Sequence, residues 1–229
     1  MVSDGHGGHF GLPESRQASL GVMVLTDPAP ASGRPLADIV AECLEAGATA
    51  IQLRDKGASD EELYERAVRL TELTHTAGAL LVVNDRFDIA LAAGADGVHL
   101  GPEDVPVEVV RLHAGDELLI GYSTDNPAAA LLAANAGADY LGVGAVFGTR
   151  SKVGLEDEAI GPDRVAQVLH AAGLPGVGIG GITPDNAADV FATGAGVAVL
   201  SAVMHAARPG DVVRRLVELH DRARDAEGS

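Results

Sequence analysis

The sequence has one cysteine, Cys43, no tryptophan and only 3% aromatic residues in a chain of 229. A single cysteine excludes an internal disulfide framework, and its place in an apolar stretch indicates a buried thiol in a cytoplasmic protein. No apolar run reaches the roughly 18 residues that a membrane span needs, and the amino terminus lacks the pattern of a secretion signal. We therefore expect no membrane partner, and we predict that residues 1–18 form a flexible N-terminal tail.

Basic residues are also scarce, since 16 Lys and Arg oppose 33 Asp and Glu and give a formal net charge of −17. This charge repels nucleic-acid phosphates, so nucleic acid is not an expected partner, and an anionic ligand needs a locally basic pocket. Only two of the basic residues are lysines, Lys56 and Lys152. A compact ammonium group suits a phosphate oxygen, although both lysines could simply be surface charges.

Aliphatic residues and glycine are abundant, with 47% hydrophobic residues and 29 glycines. Short β-branched runs alternate with longer segments of helical period, which is typical of βα units and a parallel sheet. Eight such units close a barrel, so we predict an α/β protein with a single (β/α)8 TIM barrel over residues 19–229. A doubly wound open sheet is the alternative, but no GxGxxG motif follows the first strand.

The predicted strands cover residues 22–26, 50–53, 80–84, 97–100, 118–121, 140–143, 176–179 and 197–200. Predicted helices include residues 35–45, 60–77, 126–136 and 184–193. Ser59 and Thr183 precede two of these helices, and we predict that they act as polar caps.

Polar side chains follow the predicted strands at the end where barrels of this type carry their catalytic groups. Asp85 and Asp104 follow neighbouring strands, and Mg²⁺ prefers paired carboxylates as ligands. Alternatively, Asp85 could cap the helix that follows it. The glycine-rich turn 178–181 and Ser201 follow strands seven and eight, where barrels often bind phosphate. The other polar residues in this position are Gln52, Arg54, Lys56, Asn84, Ser123, Thr149, Arg150, Ser151 and Lys152.

The histidines have no acid–base role in this interpretation. His99 lies in the core pattern of a predicted strand, and most of the others fall on helical stretches. The sequence also lacks a Ser-His-Asp or Cys-His arrangement. It instead indicates displacement at a phosphorylated centre, where a metal and cations stabilise the leaving group.

Eight motifs between residues 22 and 203 resemble those of the thiamine-phosphate synthase family. In order, they are VMVLTD (22–27), IQLRDK (51–56), VVNDR (82–86), GVHLGPED (97–104), GYS (121–123), GADYLGVGAVFGTRSK (137–152), GIGGITPDN (178–186) and AVLSAV (198–203). The resemblance implies a transferase that joins 4-amino-2-methyl-5-hydroxymethylpyrimidine diphosphate to a thiazole phosphate, releasing pyrophosphate. It also implies Mg²⁺ as the cofactor and these two phosphorylated small molecules as the binding partners.

The resemblance assigns a role to each candidate site residue. Asp85 and Asp104 would hold Mg²⁺, and Ser123 would lie beside the reacting methylene and the leaving oxygen. The catalytic residues would be Ser123, Lys152, Arg54 and Lys56. The substrate-binding set would also include Ser123. Its other members would be Gln52 at the pyrimidine, Leu53 and Asp55 in the same motif, Arg54, Lys56, Asn84 and Lys152 at the diphosphate, and Thr149, Arg150, Ser151, Gly181, Leu200 and Ser201 at the thiazole phosphate.

The sequence departs from the family pattern at two positions. Ser151 stands where the family usually has threonine and keeps the hydroxyl, whereas Asp125 stands where histidine is common. A sister barrel, the thiazole tautomerase, uses a histidine at that position and often lacks the aspartate that corresponds to Asp104, so both positions favour the synthase. A non-catalytic sensor of thiamine-pathway phosphates is the other alternative, and the sequence leaves a homo-oligomer open.

Overall fold

The computed structural model describes residues 20–28, 33–148 and 159–227. Within these ranges, eight parallel strands form a closed barrel in which each strand pairs with the next and β8 pairs with β1. The predicted (β/α)8 barrel is therefore confirmed. The proposed tail, residues 1–18, lies outside the described residues and stays a prediction.

The strands are β1 (Val22–Leu25), β2 (Ala50–Leu53), β3 (Leu80–Asn84), β4 (Gly97–Leu100), β5 (Leu119–Ser123), β6 (Tyr140–Gly144), β7 (Gly176–Ile179) and β8 (Gly196–Val199). The helices of the described ranges are α1 (Leu36–Glu45), α2 (Asp60–Ala77), α3 (Phe87–Ala92), α4 (Val107–Ala114), α5 (Pro127–Ala136), α6 (Pro162–Ala172), α7 (Ala187–Phe191), α8 (Ser201–Met204) and α9 (Pro209–Glu227). No helix in these ranges has the length and apolar character that crossing a membrane requires.

Two apolar layers stabilise the barrel because each strand is buried on both faces. In β1, Val22 and Val24 belong to the layer between the strands and the helices. Met23 and Leu25 belong to a second layer, which also contains Val82, Tyr140 and Val177 and fills the barrel interior. Side chains alternate between the two faces of a strand, so every second residue points into the barrel. Near the carboxyl ends of the strands, these inward side chains face the end of the barrel where the polar residues were predicted to lie.

The helix ends follow local sequence signals in α2 but not in α7. Ser59 begins α2 with a capping box to Glu62, as predicted. The prediction for α7 was too long, because this helix covers only Ala187–Phe191 and has Asn186 at its N-cap. The predicted cap, Thr183, instead lies in the preceding turn, where its hydroxyl accepts a hydrogen bond from the Asp185 N–H.

Candidate active site

A cavity of about 300 Å³ opens at the carboxyl ends of the strands. Seven of the predicted site residues line it: Gln52, Arg54, Lys56, Asn84, Asp85, Asp104 and Ser123. The remaining lining residues are Met23, Leu25, His99, Gly101, Pro102, Glu103, Gly142, Val177, Ile179 and Ala198. The cavity therefore combines an apolar floor with a rim that carries both cations and carboxylates.

A second cavity, of about 340 Å³, lies near the amino ends of β4 and β5. Its charged lining residues are Asp96 and Glu117, both acidic. Asp96 has a structural role, since its carboxylate accepts a hydrogen bond from the Leu81 N–H at 2.8 Å. A purely acidic lining repels phosphate, so the smaller cavity at the carboxyl ends is the better candidate for an anionic ligand.

Thr26 joins the end of β1 to the residue that follows β2. Its buried hydroxyl accepts a hydrogen bond from the Arg54 N–H at 2.9 Å and donates one to the Arg54 carbonyl at 3.2 Å. The Thr26 N–H donates to the Gln52 carbonyl at 2.9 Å. These bonds fix the backbone that carries two of the cavity side chains.

Replacing Thr26 with valine tests this connection, because valine keeps the shape of threonine but has no hydroxyl. We expect Thr26→Val to lower the free energy of unfolding by about 1–3 kcal/mol, since the partly buried Arg54 N–H loses its partner. Turnover should fall roughly tenfold, because the backbone that carries the Arg54 side chain loses both of its hydrogen bonds to the Thr26 hydroxyl. Chemical denaturation and steady-state kinetics measure the two effects. Thr76→Val on the exposed face of α2 is the control, and an equal change in both variants would contradict this role.

Asp85 and Asp104 form a carboxylate pair at the rim. Asp85 has a φ of 65°, and no other non-glycine residue of the described ranges has a positive φ. This conformation costs about 1–2 kcal/mol, so the surrounding structure must hold it in place. One support is the hydrogen bond from the Asp85 N–H to the His99 carbonyl at 2.9 Å. The predicted alternative of a helix cap is wrong, because Arg86 occupies the N-cap of α3.

Electrostatics at this pair favour a bound cation. Burial raises the pKa of Asp85, the adjacent Asp104 carboxyl raises it further, and Lys56 and Arg54 oppose the shift. The Nζ of Lys56 lies 3.8 Å from Oδ2 of Asp85, and Oδ2 of Asp104 accepts a hydrogen bond from the Gly101 N–H at 2.6 Å. Two like charges held side by side are stabilised when a cation lies between them.

The donor set at this rim is compatible with Mg²⁺. Among the described residues, no group of three or more His, Cys, Asp or Glu side chains could hold a metal by itself. Mg²⁺ is often bound by one or two carboxylates, with water and substrate phosphates as its remaining ligands. Asp85 and Asp104 can provide the carboxylates, because both line the cavity and the Asp104 carboxyl is close enough to raise the pKa of Asp85.

Gln52 lies at the floor of the cavity and is only 4% exposed. Its Nε2 lies 3.7 Å from the Met23 sulfur and donates to it. Sulfur is a weak hydrogen-bond acceptor, so a ring nitrogen or oxygen of a ligand would compete successfully for this amide. The side chain is therefore suited to orienting a polar heterocycle above the apolar floor.

His99 is buried, as its place in the strand pattern predicted, but the sequence did not indicate that it also lies at the cavity. Its side chain is buried but lines the cavity. Nε2 lies 2.8 Å from Oγ of Ser123, and Nδ1 lies 2.9 Å from Oη of Tyr140. The available sequence signal was the pair Gly121 and Gly142 on the next two strands, which leave room for a large side chain on β4.

Leu53 and Asp55 do not present their side chains to the cavity. Leu53 is fully buried in the layer between the strands and the helices. The Asp55 carboxylate accepts hydrogen bonds from the N–H groups of Gly57 and Ala58, at 3.0 and 3.1 Å, and forms an ion pair with Arg66. Any contact of these two residues with a ligand in the cavity would have to come from their backbones.

Gly181, Leu200 and Ser201 follow β7 and β8, next to the cavity residues Ile179 and Ala198. Gly181 has a φ of +67°, and a Cβ at this position would lie 2.5 Å from the Gly148 carbonyl oxygen, so only glycine fits. Leu200 is the N-cap of the short helix α8, which begins at Ser201. None of the three is among the residues that line the cavity, so a ligand would have to extend beyond it, toward the ends of β7 and β8, to reach them.

The remaining predicted site residues, Thr149, Arg150, Ser151 and Lys152, lie outside the described residues. Asp125, which replaces the family's common histidine, is exposed and is not among the residues that line the cavity. Among the described residues, no hydrogen bond or ion pair joins Asp125 to the carboxylate pair or to Ser123.

Comparison with known proteins gives a consistent result. Residues 22–203 match the family described as thiamine monophosphate synthase. The chain is 49% identical over 200 residues to the thiamine-phosphate synthase of Natronomonas pharaonis, covering 86% of this chain and 94% of that protein. It is 49% identical over 193 residues to the enzyme of the same name from Moorella thermoacetica, covering 84% and 91% of the two chains. The solved structure of thiamine phosphate pyrophosphorylase from Pyrococcus furiosus is also similar, with a TM-score of 0.82, 41% identity and coverage of 91% and 98%.

Proposed function

Because the chain belongs to the thiamine monophosphate synthase family, we propose that its cavity joins hydroxymethylpyrimidine diphosphate to a thiazole phosphate and releases pyrophosphate. The family resemblance inferred from the motifs is confirmed, and the chain is a transferase of thiamine biosynthesis. One observation supports the proposed chemistry most strongly. In a chain with a net charge of −17, Arg54 and Lys56 line the same cavity as the paired carboxylates of Asp85 and Asp104.

The diphosphate is proposed to bind between the cations and the carboxylate pair. Arg54 and Lys56 would neutralise its oxygens, and the Asn84 amide would donate a further hydrogen bond. Asp85 and Asp104 would hold the proposed Mg²⁺ beside it. When bound, Mg²⁺ neutralises negative charge on the diphosphate and makes it a better leaving group.

The reaction breaks one bond and forms another. The C–O bond between the pyrimidine methylene and the diphosphate breaks, and its electron pair leaves with the diphosphate. The thiazole nitrogen then donates a pair to the methylene carbon, forming the C–N bond. Arg54 and Lys56 stabilise the departing charge, while Gln52 orients the pyrimidine and Ser123 lies at the leaving oxygen.

The apolar floor has a separate role in this scheme. Met23, Leu25 and Val177 line the bottom of the cavity, and each is 5% exposed or less. A pyrimidine methylene that has lost its diphosphate is strongly electrophilic and would react with water. An apolar surface beneath the ring keeps water away and leaves the thiazole nitrogen as the available nucleophile.

The thiazole phosphate is proposed to bind at the ends of β7 and β8. Gly181, Leu200 and Ser201 would offer backbone N–H groups and a hydroxyl there, at the position where barrels frequently bind phosphate. Thr149, Arg150 and Ser151 would complete this subsite, and Lys152 would contact the diphosphate. Both substrates would then meet above the floor of one cavity.

Product formation tests the proposed function. We expect the purified chain to convert the pyrimidine diphosphate and the thiazole phosphate into equal amounts of thiamine phosphate and pyrophosphate. Neither product should form when one substrate is omitted or Mg²⁺ is chelated. Binding of both ligands without product would favour the sensor, and isomerisation of the thiazole alone would favour the tautomerase.

The cytoplasmic location and the lack of a nucleic-acid partner remain proposals from composition and charge.

A further inference from the structure

Three strands place His99 and Tyr140 on either side of a glycine. His99 on β4 is paired in register with Gly121 on β5, and Gly121 is paired with Tyr140 on β6. The two rings meet across the glycine, with their centroids 5.4 Å apart. A Cβ at Gly121 would lie 2.2 Å from Cζ of Tyr140 and 2.4 Å from Nδ1 of His99. The contact between the rings therefore requires glycine at this position.

A second glycine makes room for the other side of the His99 ring. A Cβ at Gly142 would lie 2.9 Å from Cε1 of His99 and 3.1 Å from its Nε2. This space lets the imidazole reach Ser123, which is paired with Gly142 in the β5–β6 register. The result is a continuous chain of hydrogen bonds from Tyr140 through His99 to Ser123, with distances of 2.9 and 2.8 Å.

The burial of Tyr140 determines which group donates and which accepts in these hydrogen bonds. Its side chain is fully buried, and burial raises its pKa, so the phenol remains protonated. Among the described residues, His99 is the sole hydrogen-bond partner of this hydroxyl. If Nδ1 carried the proton, the phenol proton would be buried without an acceptor, which is strongly unfavourable. Tyr140 must therefore donate to Nδ1.

The direction of the first bond determines the second. A neutral imidazole that accepts at Nδ1 carries its proton on Nε2. Nε2 of His99 then donates to Oγ of Ser123, so that a lone pair of the serine oxygen is occupied. The proton of Ser123 has to point elsewhere, and Ser123 lines the cavity.

We propose that Tyr140 and His99 are positioning residues that hold the Ser123 hydroxyl as a hydrogen-bond donor to the oxygen leaving the pyrimidine methylene. This inference rests on the proposed function for the identity of that oxygen. No proton is transferred, because the electron pair of the C–O bond stays on the diphosphate and the serine keeps its proton. The two hydrogen bonds act before substrate arrives. They prevent the Ser123 hydroxyl from pointing its proton at His99, so the proton points into the cavity.

Nitrogen NMR tests the hydrogen-bond chain without substrate. In the unliganded full chain with ¹⁵N-labelled histidines, a long-range ¹H–¹⁵N spectrum distinguishes the two neutral tautomers. The signals of His99 can be assigned by their loss in His99→Gln. We expect the tautomer protonated on Nε2, with a shift toward the other tautomer in Tyr140→Phe. A wild-type protein protonated on Nδ1 would overturn the inference, whatever its activity.

Kinetics test the role of the Tyr140–His99–Ser123 hydrogen bonds in turnover. Tyr140→Phe keeps the ring but removes the donor, and we expect kcat to fall roughly tenfold with little change in KM for either substrate. In a Ser123→Ala background, the same change should alter kcat by less than about twofold, because no hydroxyl remains to be positioned. Equal tenfold losses in both backgrounds would show that the phenol supports only packing, which would overturn the inference.

Two controls keep these outcomes separate. Tyr64→Phe removes a phenol from the exposed face of α2, and it should leave kcat unchanged. If Tyr140→Phe does not fold, His99→Leu and His99→Gln provide the same comparison, since only the glutamine can still donate to Ser123 and should retain more turnover. A folded wild-type chain that forms no thiamine phosphate would refute the proposed function, whereas the tautomer measurement decides the direction of the hydrogen-bond chain by itself.

Discussion

Asp104→Asn is expected to lower turnover by roughly 10²–10³-fold while the barrel remains folded. Asparagine has the shape of aspartate, and its oxygen can still accept the hydrogen bond from the Gly101 N–H that Asp104 accepts at 2.6 Å. The substitution removes one of the two carboxylates that are proposed to hold a divalent cation. It also removes the like charge that raises the pKa of Asp85, so we expect no loss of thermal stability.

The Mg²⁺ dependence of kcat is the measurement that checks this prediction. The variant should need a much higher Mg²⁺ concentration for its residual activity than the wild-type enzyme does. Asp116→Asn is the matched control, because Asp116 is exposed and precedes β5 at the opposite end of the barrel. An Asp104→Asn variant with the Mg²⁺ requirement of the wild type would show that Asp104 does not bind the metal.

Arg54→Ala is expected to lower turnover by roughly 10²-fold, because the guanidinium is proposed to stabilise the departing diphosphate. Thr26 fixes the Arg54 backbone through two hydrogen bonds. The nearby Lys56 cannot replace the guanidinium, since an ammonium group is a point charge and does not form two parallel hydrogen bonds. Arg54→Lys should therefore recover only part of the activity.

The kinetics of Arg54→Ala should be compared with pyrophosphate inhibition in the same variant. We expect kcat to fall and the inhibition constant of pyrophosphate to rise, while KM for the thiazole phosphate changes little. Arg69→Ala, which removes an arginine from the exposed face of α2, is the control for a change in net charge. A rise in KM for the thiazole phosphate alone would place Arg54 at the other substrate.

The barrel and its rim could be predicted from the sequence because both follow from local patterns. Eight apolar runs separated by helical segments predict the closed sheet. The proximity of Lys56 to Asp85 follows from the pairing of neighbouring strands β2 and β3. Charged residues that follow adjacent parallel strands must lie at the same end of the barrel. The sequence does not contain the distances between them.

The side chains of the motif at residues 51–56 divide between the cavity and the rest of the barrel. Side chains alternate along the strand, so Gln52 faces the cavity and Leu53 faces the helices. Beyond the end of the strand, Arg54 and Lys56 line the cavity and Asp55 does not. The predicted substrate-binding set included all five residues because it followed the motif rather than the alternation. Period-two alternation alone would have separated the inward side chains from the outward ones.

His99 could not be identified from its own strand. Burial of an inward side chain does not reveal whether it fills the core or lines the cavity, and the partners of His99 are 24 and 41 residues further along the chain. Gly121 and Gly142 provide the space for the ring, but glycines within strands have several explanations. Only the register of β4, β5 and β6 shows that these two glycines lie beside the same imidazole.

A crystal structure with the pyrimidine diphosphate and Mn²⁺ tests the central claim most directly, because anomalous scattering locates the metal. We predict the metal at Asp85 and Asp104, with the diphosphate between them and Arg54 and Lys56. The methylene of the ligand should lie beside Ser123, above the floor formed by Met23 and Val177. A diphosphate bound outside this cavity, or a metal on other residues, would contradict the assignment of the active site.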